Sequence, residues 1–336
     1  MCASKKICLL LIVLLNSILF LLPTAGISET QKERSQIVSE IKIDNLRGTI
    51  DRLEKYGERS SWEKQDRAIS WAVEEFRKLG IDAWTESYKS DGKVWRNCFA
   101  KIKGKSNPST LIMLTAHIDS ISRVGGAAPG ADDNGSGLAV LFECARLLLK
   151  TPLNKSVQFC IFTNEERGQK GSKAFTRKAR EKGQNINSVI NVDVLGYNKI
   201  IAPTFWQSLF GNNSFRNRAK IVLRAFQNCF SRASVGRDAI LIAGRPANAN
   251  LVKIAGDKMR QVVGITVKER VGNECGCGDE GSFWNEGYNA IYINSLYENP
   301  YHHTAWDRIE NIDFIFLEKA TKGILATITY LANREP

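Results

Sequence analysis

The sequence predicts a single α/β domain built on a doubly wound, mostly parallel mixed sheet between helices. Two observations predict it. Short apolar runs recur along the chain with helix-period segments between them, the pattern of strand–helix–strand units. Several of these runs, such as Leu111-Ile112-Met113-Leu114, are apolar at successive positions rather than alternate ones, which suits strands covered on both faces. The 336 residues set no domain count by themselves, but at 43% hydrophobic and 24% charged, without repeat, linker or low-complexity tract, they read as one packed unit.

Residues 1–26 stand apart. Lys5 and Lys6 precede an apolar run, Ile7 to Leu22, broken by Asn16 and Ser17, and Pro23-Thr24-Ala25-Gly26 closes it with small residues. A basic start, a short apolar stretch and a small-residue cleavage site describe a secretory signal peptide. Sixteen positions fall short of the ~20 needed to span a bilayer, so an uncleaved anchor is the weaker reading. Residues 27–336 are then the mature domain, secreted or periplasmic, in contact with membrane only during export.

Ser60-Ser61-Trp62-Glu63 has the form of a capping box, and a helix to about Leu79 follows, stopped by Gly80. Ala83 to Tyr88 and Trp95 to Ile102 alternate as strands. Ser109 to Thr115, Val157 to Thr163, Asn187 to Val194 and Ala290 to Asn294 read as buried strands. Leu138, Leu141, Phe142, Ala145, Leu148 and Leu149 fall at helical spacing. Residues 198–245 show little periodicity and read as an insertion or irregular excursion.

The formal charge of +12 falls to 45 − 35 = +10 once Lys5 and Lys6 leave with the signal. Its densest patch, Arg177, Lys178, Arg180 and Lys182, reads as a solvated helix face, and no nucleic-acid partner is expected. Of six remaining cysteines, Cys144 and Cys160 lie in apolar patterns as buried thiols, and Cys275-Gly276-Cys277 suits a disulfide-containing loop better than a structural zinc site.

Histidine is scarce. His117, His302 and His303 are the only ones, so any metal site must take most of its ligands from Asp, Glu or Cys. Carboxylates and imidazoles gather where the apolar strands end, which is where open α/β sheets form their ligand crevice. One His with two carboxylates and an open position suits a catalytic zinc, and two such sets sharing a carboxylate suit a two-metal centre. The chain offers His117 with Asp193 and His303 with Glu166, bridged by Asp132, leaving Glu165 as a base.

His117-Ile118-Asp119, then Gly130-Ala131-Asp132-Asp133-Asn134-Gly135-Ser136-Gly137, then Asn164-Glu165-Glu166, Asn191-Val192-Asp193 and His303-Thr304-Ala305-Trp306-Asp307 resemble, in that order, the co-catalytic di-zinc aminopeptidases of the bacterial leucyl aminopeptidase and aminopeptidase Y type. The resemblance implies a zinc-exopeptidase, aminopeptidase-like fold and two Zn2+ per chain, with peptides or proteins bearing a free N-terminus as substrates. It implies His117 and Asp193 on one zinc, Glu166 and His303 on the other, and Asp132 bridging. Asp119 would accept a hydrogen bond from the far ring nitrogen of His117, the Asp132–Asp133 peptide would be cis, and Glu165 would serve as general base and then acid. Asp133 would shape the loop, and Asp307 would be a structural hydrogen-bonding residue.

Two positions depart from the pattern. Glu280 stands where His is common, and no Tyr lies between Gly272 and Asp279 to stabilise an oxyanion. Phe283 and Trp284 are candidates for a substrate pocket, with core packing as the rival role, and His302 is left without a task. Glutaminyl cyclases share this fold but use one zinc, and the full two-zinc ligand set disfavours them here. A non-catalytic metal-binding relative would have no need of Glu165.

Overall fold

Strands with the most continuous apolar sequence belong where both faces are covered, and the computed structural model places them there. It describes residues 37–198, 215–235, 238–274, 276–297 and 299–335, so the leader read at residues 1–26 lies outside the described residues. Val38–Pro336 form one compact unit. Eight strands make one mixed sheet: β1 (Asp82–Ser90), β2 (Lys93–Ile102), β3 (Asn107–His117), β4 (Lys155–Phe162), β5 (Ile186–Val192), β6 (Ala239–Gly244), β7 (Thr266–Val271) and β8 (Ala290–Ser295). Their order is β1-β2-β4-β3-β5-β8-β6-β7. The central β4-β3-β5-β8 set is parallel. Antiparallel pairing joins β1 to β2, β2 to β4 and β6 to β8, while β7 runs parallel to β6 at the edge.

Helices α1 (Ile43–Glu54), α2 (Trp62–Lys78), α3 (Gly135–Leu148), α4 (Lys170–Glu181), α5 (Phe215–Val235), α6 (Ala249–Met259), α7 (Glu280–Asn285) and α8 (Phe314–Asn333) surround the sheet. Successive side chains of a strand point to opposite faces. On β3, Leu111 and Met113 therefore pack with Phe175 of α4 and Phe283 of α7 on one face. Ile112 and Leu114, equally buried, face the other side, where α3 and α8 lie against β3. In α2 the Ser61 side chain accepts from the Lys64 N–H, and Ala68, Ile69, Ala72, Val73 and Phe76 make its buried stripe.

One sequence expectation is corrected. The stretch at 198–245 is no irregular excursion: where described, it supplies α5 and then β6, which lies inside the sheet between β8 and β7. Ala239-Ile240-Leu241-Ile242-Ala243-Gly244 is buried at all six positions, so it carries no alternation and is too short to stand out as a period. Residues 199–214 lie outside the described residues. Cys98, Cys144 and Cys160 are buried free thiols, and Cys277 is disulfide-bonded. Among the described residues no helix is long and apolar enough to cross a membrane.

Arg59 ties together two segments that the strands alone would not hold. Its side chain is fully buried. The guanidinium donates to the carbonyls of Ile118 (2.6 Å) and Gly130 (3.1 Å) and to that of Pro129, while its backbone N–H donates to Ser120 Oγ at 3.0 Å. Those contacts join the segment after β3 to the loop before α3. Gly130 is required there: its φ is +67°, and a Cβ would lie 2.5 Å from Ser120 Cβ and 2.8 Å from Arg59 Nη2. Arg59→Met keeps the bulk but strips donors from three buried carbonyls. At ~1–3 kcal/mol for each group left unsatisfied, it should lower unfolding free energy by about 3 kcal/mol or more. A loss under about 1 kcal/mol in urea unfolding would show that these bonds do not hold the loop.

Candidate metal centre

Four segments that follow strand ends deliver the functional side chains. His117 ends β3, Glu165 and Glu166 follow β4, Asp193 follows β5, and the 299–307 loop after β8 brings His302 and His303. A fifth segment, the loop before α3, adds Asp133, and the Asn134 side chain caps that helix by accepting from Gly137 N at 3.0 Å. The backbone turns sharply at these places. Asn164 (φ +57°), Val194 (φ +49°) and His303 (φ +60°) are left-handed at or beside the site, and for a β-branched Val this is a costly conformation.

The geometry falls into two clusters around one carboxylate. His117 Nε2 lies 3.2 Å from Asp133 Oδ1 and 3.3 Å from Asp193 Oδ1. Asp133 Oδ2 lies 2.8 Å from His302 Nε2 and 3.0 Å from His303 Nε2, and the latter is 2.6 Å from Glu166 Oε1. Asp133 thus gives one oxygen to each cluster. Both His117 Nε2 and Asp193 Oδ1 are buried without a hydrogen-bond partner. Two orphaned atoms, an imidazole nitrogen and a carboxylate oxygen, beside a second carboxylate oxygen from Asp133 fit a cation. A tetrahedral zinc with bonds of ~2.0–2.1 Å has ligand–ligand edges of about 3.3 Å, close to the spacings of the first cluster.

Sequence reasoning gave the bridging position to Asp132, and the structure places Asp133 there. Adjacent residues of the loop project apart. The Asp132 carboxylate accepts from Gly196 N (2.6 Å) and Asn299 Nδ2 (2.8 Å), away from the imidazoles. The cis peptide is correspondingly Asp133–Asn134, not Asp132–Asp133. Asp307 is the structural partner: its two oxygens accept from the backbone N–H groups of Asp132 (2.9 Å) and Asp133 (3.0 Å).

Asp119 sits beside His117 but works through different atoms than expected. His117 Nδ1 donates to the Asp119 backbone carbonyl at 3.1 Å, while the carboxylate, at 3.6 Å, is out of range. That carboxylate instead accepts from Glu165 N (3.0 Å) and Glu166 N (3.1 Å). Because a carbonyl can only accept, the proton is on Nδ1 and the Nε2 lone pair faces the cluster.

The cleft holds about 400 Å3, with Glu165, Trp284, Tyr292 and Glu280 in its wall. Phe283 is corrected to core: it is fully buried among Phe162, Phe175 and Tyr288. Trp284 keeps a place in the cleft, its indole donating to the Ala290 carbonyl at 2.8 Å and carrying the Arg245 guanidinium over its ring. Glu280 accepts from Asn191 Nδ2 at 2.9 Å. Tyr292, which sequence reasoning did not single out, donates to Asp193 Oδ2 at 3.4 Å.

Charge crowds this volume. Burial, then the Asp133 charge, raises Glu166 to about 8, and burial raises Glu280 to about 7. Burial also lifts Glu165 well above the ordinary carboxylate range; His117 opposes this, and Asp279, Asp193 and Asp119 add to it. Against its own burial, His303 is raised to about 9 by hydrogen bonds to Asp133 and Glu166. Arg123, at 3.1 Å from Glu166 Oε2, is a further cation that sequence reasoning missed, having no local motif.

The two loop aspartates should separate cleanly. Asp133→Asn replaces one of the two shared oxygens with an NH2 group and removes the shared negative charge, and should weaken zinc binding by 100-fold or more, beyond the ~10–100-fold typical of outer-shell changes. Asp132→Asn should keep the full metal content and lower only thermal stability. Metal content after equilibrium dialysis tests this, and the reverse ranking would restore Asp132 as the bridge.

Comparison with known proteins agrees with this geometry. A family model described as peptidase family M28 matches residues 97–328. A probable leucine aminopeptidase of Trichophyton verrucosum is 27% identical over 316 residues, covering 88% of this chain and 73% of its own. A probable zinc metalloprotease of Pyrenophora tritici-repentis is 25% identical, covering 90% and 69%. Among solved structures, the LapA aminopeptidase of Legionella pneumophila superposes with a TM-score of 0.72 at 21% identity, covering 91% of this chain and 76% of its own. A glutaminyl cyclase of Porphyromonas gingivalis superposes at 0.64 with 17% identity, covering 85% and 97%. The match to the family model spans more than half of the chain, from the second strand into the last helix, and the chain belongs to peptidase family M28.

Proposed function

We propose that the protein is an exported zinc aminopeptidase that removes N-terminal residues from peptides. The observation that carries this reading is the pair of clusters sharing Asp133, with Glu165 in the wall of the same cleft. His117, Asp133 and Asp193 would hold one zinc; Asp133, Glu166 and His303 would hold the second. Zinc bound there supplies Lewis acidity, lowering the pKa of water toward ~7 and polarising a carbonyl.

The chain's own residues do the rest. The Glu165 carboxylate takes a proton from the attacking water and delivers it to the departing amine. Asp119 fixes the backbone N–H groups of Glu165 and Glu166 and so aims both carboxylates. Glu280, in the same wall and outside the proposed ligand set, offers a carboxyl group to the amine of a free N-terminus. Trp284 offers an apolar surface to the substrate side chain.

A glutaminyl cyclase neighbour shows that the fold alone does not choose between hydrolysis and cyclisation. Two clusters of three or more donors each favour hydrolysis, since a one-zinc cyclase would have no use for the second. Export rests on residues 1–26, which lie outside the described residues.

Glu165→Gln should leave zinc content unchanged and lower kcat for a leucine anilide by ~10²–10⁴-fold. Undiminished turnover in that variant would sink the mechanism. Cyclisation of N-terminal glutamine peptides by the wild type, without anilide hydrolysis, would favour the cyclase instead.

A further inference from the structure

We infer that His302 is a fourth ligand at the Glu166–His303 position, which makes the two zinc positions chemically unequal. The inference rests on the two-zinc reading above and goes beyond it. His302 Nε2 lies 2.8 Å from Asp133 Oδ2, the same oxygen that His303 Nε2 approaches at 3.0 Å. Ligand atoms from Asp133, Glu166, His302 and His303 all lie within 4.8 Å of one another. The two rings lie against each other with centroids 3.8 Å apart and planes 34° apart, and both Nε2 atoms reach the same Asp133 oxygen.

The backbone holds this arrangement. His302 N donates to the Asn299 carbonyl at 3.2 Å, and Lys220 Nζ donates to the His302 carbonyl at 3.0 Å. Arg123 N donates to the His303 carbonyl at 3.2 Å. The His302 side chain is 31% exposed, yet its Nε2 points inward at the shared carboxylate.

The chemical consequence follows from counting donors. Two nitrogens and two oxygens would give an ion at the Glu166 position four protein donors, whereas His117, Asp133 and Asp193 would give the other three and leave a place open. Closed four-donor sites hold zinc structurally, and three-donor sites keep the position that chemistry needs. The Glu166–His302–His303 position is therefore the tighter one and fills first. The His117–Asp193 position is the exchangeable one and holds the open place.

Two variants and one measurement on the unaltered protein test this. His302→Gln keeps an amide donor toward Asp133 but is a poor zinc ligand, and His302→Phe keeps the ring against His303 without a nitrogen. Metal-stripped proteins are titrated with Zn2+ against a chromophoric chelator. The wild type should bind two equivalents with one clearly tighter, and both variants should weaken the tighter one by 100-fold or more, above the ~10–100-fold range of outer-shell changes. Unchanged affinity in His302→Gln would reduce His302 to a hydrogen-bond partner of Asp133 and overturn the assignment. Zinc-edge X-ray absorption on the wild type should count three imidazoles over two zinc ions, and a count of two would overturn it as well. Fewer than two zinc equivalents in the wild type would instead overturn the two-zinc reading on which the assignment stands.

Discussion

The structure turns on the problem of holding several carboxylates in a small, largely buried volume. Asp133, Glu165, Glu166, Asp193 and Glu280 line one cleft, and in a low-dielectric space their mutual repulsion is larger than in water. Such a set persists as anions only if cations are placed among them. Arg123 and His303 supply part of that charge, and protons held by Glu166 and Glu280 supply more. Divalent ions at the two clusters would replace those protons, which makes metal binding and the ionisation of this cleft one linked event.

Asp133 is the pivot of that arrangement, so the surrounding loops are built to fix it. Asp307 receives both neighbouring backbone N–H groups, Asp132 is drawn the other way by Gly196 and Asn299, and Arg59 secures the carbonyls just upstream. None of these residues belongs to either cluster. Their work is to leave the Asp133 side chain one direction in which to point. The same logic explains why Asp119 spends its carboxylate on the Glu165 and Glu166 backbone, leaving only its carbonyl for His117.

Much of the site was legible in the sequence because strand ends are. His117, Glu165, Glu166, Asp193 and His303 could each be placed by the apolar run before them or by the order of the motifs, and the structure brings all five to one cleft. Tandem residues were harder. In Asp132-Asp133, neighbouring side chains of the same type differ only in the direction the loop sends them, and that direction is set by distant partners such as Asn299 and Asp307, whereas His302 and His303 both reach one Asp133 oxygen. Composition at the position holds no record of it. β6 escaped for another reason: six residues buried on both faces have no period to detect. Arg59 was unreadable because a buried guanidinium bonded to carbonyls needs no particular neighbour in sequence.

The left-handed turns tie these points together. Asn164, Val194 and His303 each adopt a backbone that non-glycine residues seldom take, and each stands at, or within two residues of, a side chain of the two clusters. A relaxed strand continuation would send these side chains alternately to the two faces of the sheet rather than across the cleft at its edge. The departures therefore fall where extended structure must be abandoned to make side chains converge. Sheet, loops and strained turns act as one device: the sheet brings the ends to the same edge, the turns swing the side chains inward, and the Asp133 loop closes the ring between them.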